Sequence, residues 1–416
     1  MRTLLTAAKL WDGTSLVDHP IVEIEDGRIL SISSRASADP PDPLAGRGFR
    51  SPASILSEHG AQAVIIEGSE TIRHFPGALL APAFFDVHFH GAAGHDLMEA
   101  TPEALYAIGS LVARHGTGSY LATTVTAPLD KTLRAVAGLA KLIRNPDLIQ
   151  GQKKNGAIAK PIGIHLEGPF LSHVKRGVQP AEHLLAPDIG VFDRLYEAAE
   201  GTMRLMTLAP ELPGAMELAA HTTARGVRVS VGHSDATMAQ TRAAIAAGAV
   251  SATHTFNAMR ALDHREPGIV GTVLTTDSLY AELICDGIHV APEMVKLWWR
   301  AKGQDRAILV SDAMSATGMP DGEYQLGGFP VQVANERATA RGVLAGSVLT
   351  LDSALRNFVQ FTGATAEQAV HLLTANPAAM TGLELAGCLR VGKAANLVAV
   401  DATGKLVATI LEGQPI

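Results

Sequence analysis

From about residue 80 onward, short apolar runs with strand character alternate with longer amphipathic runs of helical period. The strand candidates are 84–88, 118–124, 162–166, 204–208, 228–231, 251–253, 281–285 and 308–310. Helix candidates lie between them at 102–115, 129–143, 192–200, 214–225, 237–247 and 292–302. Eight βα units in a row constrain the fold strongly. Parallel neighbours need a crossover, and eight of them in succession close into a barrel. No short repeat points to a solenoid instead.

The two ends of the chain have a different texture. Residues 21–32 alternate apolar and polar side chains around Asp26-Gly27, a hairpin signal. Residues 33–62 are rich in Ser, Pro, Gly and Ala, have no period, and read as an inserted loop. Further strands are expected at 63–66 and 77–80. After Leu349 come two helices, at 352–361 and 366–373, the second broken by Asn376-Pro377. Residues 387–410 then return to strand patterning. The expected fold is α/β: a (β/α)8 TIM barrel over 81–385, with a small β-sandwich built from both termini, 1–80 and 386–416.

The chain's 416 residues hold a barrel of about 250 residues or more plus a smaller unit. With 47% hydrophobic and 18% charged residues, a large core can form and disorder does not dominate. A net charge of −7 argues against a nucleic-acid or anionic-membrane surface, while leaving room for a local basic pocket. The two cysteines, Cys285 and Cys388, have no zinc-knuckle or disulfide spacing. The opening residues lack the long apolar core of a secretory leader, and there is no run of 18 apolar residues. The expected compartment is the cytoplasm.

Barrel enzymes carry their chemistry at the C-terminal ends of the strands. Here the first strand ends in Asp86-Val87-His88-Phe89-His90, the third in His165-Leu166-Glu167, the fifth in Gly232-His233, the sixth in Thr253-His254 and the eighth in Ser311-Asp312. His88 and His90, two apart on a strand, face the same side. Each feature has an ordinary reading: a core histidine pair, or a glutamate in a buried ion pair. Together they put imidazoles and carboxylates at five of eight strand ends on one rim. That pattern fits a divalent cation held by His88, His90, Glu167, His233, His254 and Asp312. Zn2+ suits these ligands, as do Fe2+, Mn2+ and Co2+, and a shared carboxylate can bridge two ions. Such a cation activates water and polarises a carbonyl, with Asp312 placed to accept the water proton and return it to a leaving amine.

Several longer stretches carry a resemblance: APAFFDVHFHG, GIHLEGPFLS, SVGHSDAT, THTFNAM, REPGIVG, ICDGIHV, LVSDAMSATG and LAGSVLTLDSALRN. Over nearly its whole length the sequence resembles the N-acetylglucosamine-6-phosphate deacetylases of the amidohydrolase superfamily. The resemblance implies a barrel with a β-sandwich and release of acetate from N-acetylglucosamine 6-phosphate. It implies Glu167, His233 and His254 as core metal ligands and Asp312 as catalytic acid/base. It also implies a substrate pocket of Asn257, Ala258, Asp286, Gly287, Ile288, His289, Leu344, Ala345 and Gly346. Arg265 would hold the phosphate, as a guanidinium suits its oxygens. A neighbouring subunit completes such sites through the Arg and His of these motifs, which implies a homodimer. Some relatives lack the first-strand histidine pair and hold one metal; here His88 and His90 make a second position available. Gln179, which with Val178 is expected at the substrate, stands where many relatives have a histidine, and glutamine can hydrogen-bond but carries no charge.

The isolated readings are plainer. Arg265 beside Glu266 reads as a surface ion pair, His289 as a rim histidine, and His95 and His115 as structural. His165 and Asp235 are candidates for orienting the ligands. Cys285 reads as a small buried residue, and Trp298 and Trp299 as packing groups. Three rivals compete with the main function. A cyclic-amide hydrolase of the same superfamily would want a bridging lysine on the fourth strand, which has none. A deacetylase of N-acetylgalactosamine 6-phosphate differs only in one sugar hydroxyl. A non-catalytic relative would have lost ligands that this chain keeps.

Overall fold

The computed structural model describes residues 2–34, 55–56, 62–65, 70–150 and 156–416. Most of the expected insert at 33–62 lies outside them. Of that stretch, Ile55–Leu56 pairs antiparallel with Gln62–Ile65.

Eight strands form one parallel sheet in sequential order: Phe84–Asp86, Thr117–Thr123, Lys160–Glu167, Met203–Leu208, Arg228–Val231, Ala249–Ala252, Tyr280–Ile284 and Ala307–Val310. They are called here the first to eighth barrel strands. They are almost wholly buried because helices cover the sheet's outer face, and this accounts for their continuous apolar runs. The barrel core extends into the surrounding helices. Fully buried Trp298, on helix Pro292–Arg306, meets Phe358 edge to face at 6.5 Å.

The seam between the first and eighth strands is closed just beyond their ends. Asp312 N–H donates to the His88 carbonyl at 3.0 Å, and His90 N–H donates to the Ala313 carbonyl at 2.8 Å. Lower down, the Leu372 and Leu373 carbonyls accept from Leu309 and Phe85. Segments carrying candidate site residues therefore also close the barrel.

Several elements differ from the sequence expectation. Helix Gly268–Thr275, between the sixth and seventh strands, buries its first six residues in succession. A helix apolar on nearly every side has no amphipathic period to read. Between the eighth strand and helix Leu351–Thr362 stands a four-stranded antiparallel sheet, Gly322–Leu326, Phe329–Ala334, Arg337–Ala340 and Val343–Leu344. It packs its own small core of Leu326, Val331 and Val333 against Val125 and Met314. Near the C-terminus, the expected helix at 366–373 ends at His371, and Pro377 sits in the first turn of another, Ala375–Thr381. Proline is tolerated there because that turn's N–H groups have no helical partner.

The remaining β structure is built from both ends of the chain. Arg2–Trp11 pairs in parallel with Glu70–Pro82, and the C-terminal strand Leu397–Val400 joins the other edge of Glu70–Pro82. Ten strands make one hydrogen-bonded sheet. The sheet curls around a separate core of Leu5, Leu10, Val22, Phe75, Leu80 and Leu397. A bridge links Arg28, on the last strand of one edge, to Ala394, just before Leu397–Val400.

Candidate metal centre and substrate cavity

The site lies at the C-terminal end of the barrel strands. Glu167 is the last residue of the third strand. His233, His254 and Asp312 each stand two residues past their strand, with φ of 46°, 29° and 50°. That left-handed conformation costs a non-glycine residue roughly 1–3 kcal/mol and recurs where side-chain direction matters more than backbone comfort. Three such turns aim three side chains inward. Gly168, directly after Glu167, has φ 83°, and a Cβ there would fall 2.2 Å from the Thr126 hydroxyl. That close approach explains the glycine in the Glu-Gly-Pro motif.

The six candidate ligands meet around Glu167. Its Oε1 lies 3.1 Å from His233 Nε2 and 3.3 Å from the Nε2 atoms of both His88 and His254. Its Oε2 lies 3.5 Å from His90 Nε2 and accepts from the Gln179 amide at 2.8 Å. Asp312 Oδ1 is 3.1 Å from His90 Nε2 and 3.7 Å from His88 Nε2. All six residues are buried.

The hydrogen bonds fix how the rings are turned. A carbonyl or carboxylate only accepts, so a ring nitrogen facing one must carry the proton. His90 Nδ1 faces the Thr123 carbonyl at 3.3 Å, His233 Nδ1 the Lys175 carbonyl at 3.1 Å, and His88 Nδ1 the Glu282 carboxylate at 3.2 Å. In the neutral rings, the Nε2 lone pairs of all three then point toward Glu167 and Asp312. Meanwhile His233 and His254 bring their Nε2 atoms within 3.1 Å of one another, and His88 and His90 within 3.3 Å. Lone pairs converging on carboxylates repel unless positive charge lies among them. Two triads, His88-His90-Asp312 and His88-Glu167-His254, have ligand atoms close enough to share an ion. The donor chemistry fits a divalent cation.

Without an ion, protons would have to supply that charge: against the cost of burial, the Glu167 and Asp312 carboxylates raise the His88 and His90 pKa values above the ordinary imidazole value. Burial would push the Glu167 carboxyl up, but the imidazoles of His88 and His233 outweigh it and hold the group well below the usual carboxylate range. Burial likewise opposes ionisation of Asp312, and His88 and His90 bring it down to about 2. His165 is driven well below the ordinary imidazole range, first by burial and then by His88. It donates Nδ1–H to the Val87 carbonyl at 3.0 Å and accepts from Thr207 at 2.8 Å. Its ring packs edge-on to His88 at 4.8 Å, so it props that ring from below.

A cavity of about 210 Å³ opens over the centre. Of the residues expected at the substrate, Val178, Gln179, Asn257, Ala258, His289, Leu344 and Gly346 line it, together with His90, Glu167, His233, His254 and Asp312. His88 is fully buried, outside that lining. Asp286 stands behind His289, 2.6 Å from its Nδ1, and accepts from the Ile288 and His289 N–H groups. Burial opposes charge on His289, but the Asp286 carboxylate raises its pKa above the ordinary value. Gly287 and Ile288 form the turn beside it, and Ala345 is buried. Arg265 lies on the exposed 261–266 loop, outside the cavity lining of its own chain.

Some features escaped the sequence reading. Val125, Leu326 and Val343 also line the cavity, the last two from the unforeseen four-stranded sheet. Glu282, mid-strand between apolar neighbours, reaches His88. Asp235 does not orient His233: it pairs with Arg260 at 3.0 Å, while His233 leans on the Lys175 carbonyl. His95 and His115 stay outside the site, paired with Glu99 and Asp352.

Residues 79–416 match the Amidohydrolase family. An N-acetylgalactosamine-6-phosphate deacetylase of Escherichia coli O157:H7 is 41% identical over 338 residues, covering 81% of this chain and 87% of that protein. An N-acetylglucosamine-6-phosphate deacetylase of Lysinibacillus sphaericus is 40% identical over 339 residues, covering 81% and 85%. A single-substitution mutant of the N-acetyl-D-glucosamine-6-phosphate deacetylase of Mycobacterium smegmatis, solved in complex with N-acetyl-D-glucosamine-6-phosphate, superimposes with a TM-score of 0.84 at 33% identity. That alignment covers 100% of this chain and 99% of that one.

Proposed function

The chain belongs to the amidohydrolase family, and we propose that it hydrolyses the acetamide of N-acetyl-D-glucosamine 6-phosphate to D-glucosamine 6-phosphate and acetate. One observation carries the reading: four imidazoles and two carboxylates converge beneath a cavity of about 210 Å³ lined by polar groups and backbone. Glu167, His233 and His254 would hold one cation, with His88, His90 and Asp312 completing a second position; zinc is the first choice, and Fe2+, Mn2+ and Co2+ suit the same donors. When bound, the cation supplies Lewis acidity that activates water and polarises the amide carbonyl.

The chain's own groups do the rest. Asp312 is ionised and faces the cavity, so it accepts a proton from the attacking water. As the new C–O bond forms and the C–N bond breaks, Asp312 returns that proton to the departing amine. His289, held by Asp286, donates to sugar oxygens. Asn257, Ala258, Gln179 and the 344–346 backbone shape the pocket around the hexosamine. Val178, Gly287, Ile288 and Ala345 set the path of the loops that bear these groups.

Arg265 is assigned to the phosphate. Its exposure outside its own cavity supports delivery to the site of a second copy, and hence a homodimer. The catalytic unit is taken as 81–385. Two unpaired cysteines fit a reducing compartment such as the cytoplasm. Among the described residues, no helix is long and apolar enough to cross a membrane.

A second reading, N-acetylgalactosamine 6-phosphate as substrate, is favoured by the 41% identity to the Escherichia coli protein of that name. Acetate release from a panel separates them: both hexosamine 6-phosphates, their unphosphorylated forms, and a cyclic amide. The proposal expects the highest kcat/KM on N-acetylglucosamine 6-phosphate. A preference for the galacto epimer would install the second reading, and turnover of the cyclic amide alone would reject both.

A further inference from the structure

The seventh barrel strand contributes no candidate ligand, yet it carries a charged residue at full burial. Glu282 is 0% exposed, flanked by Ala281 and Leu283, which are equally buried. A carboxylate taken out of water loses several kcal/mol of solvation unless something offsets it. Its described polar contacts are few. Oε2 accepts from His88 Nδ1 at 3.2 Å and from the His254 backbone N–H at 3.3 Å, while Oε1 has no partner. No lysine or arginine pairs with it among the described residues. The barrel has no packing need for this group, since tyrosine, alanine, leucine and isoleucine fill the rest of the strand.

What distinguishes Glu282 is the ring it holds. His90 and His233 turn their Nδ1–H to neutral backbone carbonyls, and His254 Nδ1 has no partner. Among the four imidazoles, His88 alone leans on a carboxylate through Nδ1. A carboxylate behind an imidazole fixes the tautomer and makes the opposite nitrogen a stronger donor. That nitrogen, His88 Nε2, sits between Glu167 at 3.3 Å and Asp312 at 3.7 Å, and it belongs to both ligand triads.

We propose that Glu282 is a positioning residue that sets the cation affinity of the His88-His90 position, and so makes this centre bind two ions rather than one. The inference rests on the metal-dependent reading above. Metal stoichiometry tests it, independently of turnover. Equilibrium dialysis of the full chain against Zn2+ or Co2+ should give two equivalents for the wild type. In Glu282→Gln and Glu282→Met, affinity for one equivalent should fall about 10–100-fold, the usual effect of removing such a partner. The other equivalent, on Glu167, His233 and His254, should stay. In a His88→Asn background, Glu282→Gln should cause no further loss, which a general destabilisation of the barrel would not reproduce. Should Glu282→Met fail to fold, the Gln variant and the double-variant comparison decide alone. One equivalent in the wild type, or two at unchanged affinity in Glu282→Gln, overturns the inference. No bound metal at all in the wild type would instead sink the functional reading beneath it.

Discussion

Asp312 carries the proton in the proposed reaction, and its φ of 50° shows the backbone bent to present it. Asp312→Asn keeps the shape and removes the proton acceptor. We expect kcat to fall by about 10²–10⁴, with at least one equivalent of metal retained on Glu167, His233 and His254. Rates near wild type would reject the assignment. Arg265 tests recognition instead. Loss of a charged hydrogen bond of about 1.5–3 kcal/mol should raise KM for the phosphorylated sugar by about 10–100-fold, with little change for the unphosphorylated one; equal effects would remove Arg265 from the phosphate site. At this scale the sequence was readable where polar residues interrupt apolar strand ends, as at Glu167, His233 and Asp312. It was silent where a residue's meaning depends on what lies across the barrel. Glu282 looks like one polar residue in a strand, and only the fold sets it against His88, 194 positions away. Val125, Leu326 and Val343 carry no chemical signal at all.

Elements were legible in proportion to their periodicity. The barrel strands stood out because burial on both faces makes them continuous apolar runs. Helix Gly268–Thr275 did not, because it is buried nearly all round. The sheet from Gly322 to Leu344 had a usable cue, Gly327-Gly328 between two alternating runs, but it stands where a barrel calls for a short connection. Helix Gly268–Thr275 also supplies a test of its own. Lys302 donates to the Val273 and Thr276 carbonyls at 3.0 and 2.7 Å, capping the helix's C-terminal end. Burial lowers its pKa to about 8. Between that value and the unfolded lysine's, the unfolded chain binds a proton that the folded chain does not, so stability from this group rises with pH. Lys302→Met should lower the unfolding midpoint in urea, and the gap to wild type should widen from pH 8 to pH 10. A constant or narrowing gap would contradict this.

On the scale of the molecule, fold and chemistry share a seam. The first and eighth strands are joined through His88, His90, Asp312 and Ala313, so the residues that close the barrel are those proposed to grip the cation. Strand patterning at both chain ends foretold a β unit drawn from both, though not that its ten strands would form one curling sheet.

The central claim is that this centre is a metal site that cleaves an amide, and acetate release from N-acetylglucosamine 6-phosphate tests it directly. Measured on metal-loaded, chelator-stripped and re-loaded protein, release should be robust, lost on stripping, and restored by Zn2+ or Co2+, with one glucosamine 6-phosphate formed per acetate. Undiminished release from fully stripped protein, or none from protein carrying its full complement of metal, would contradict the account.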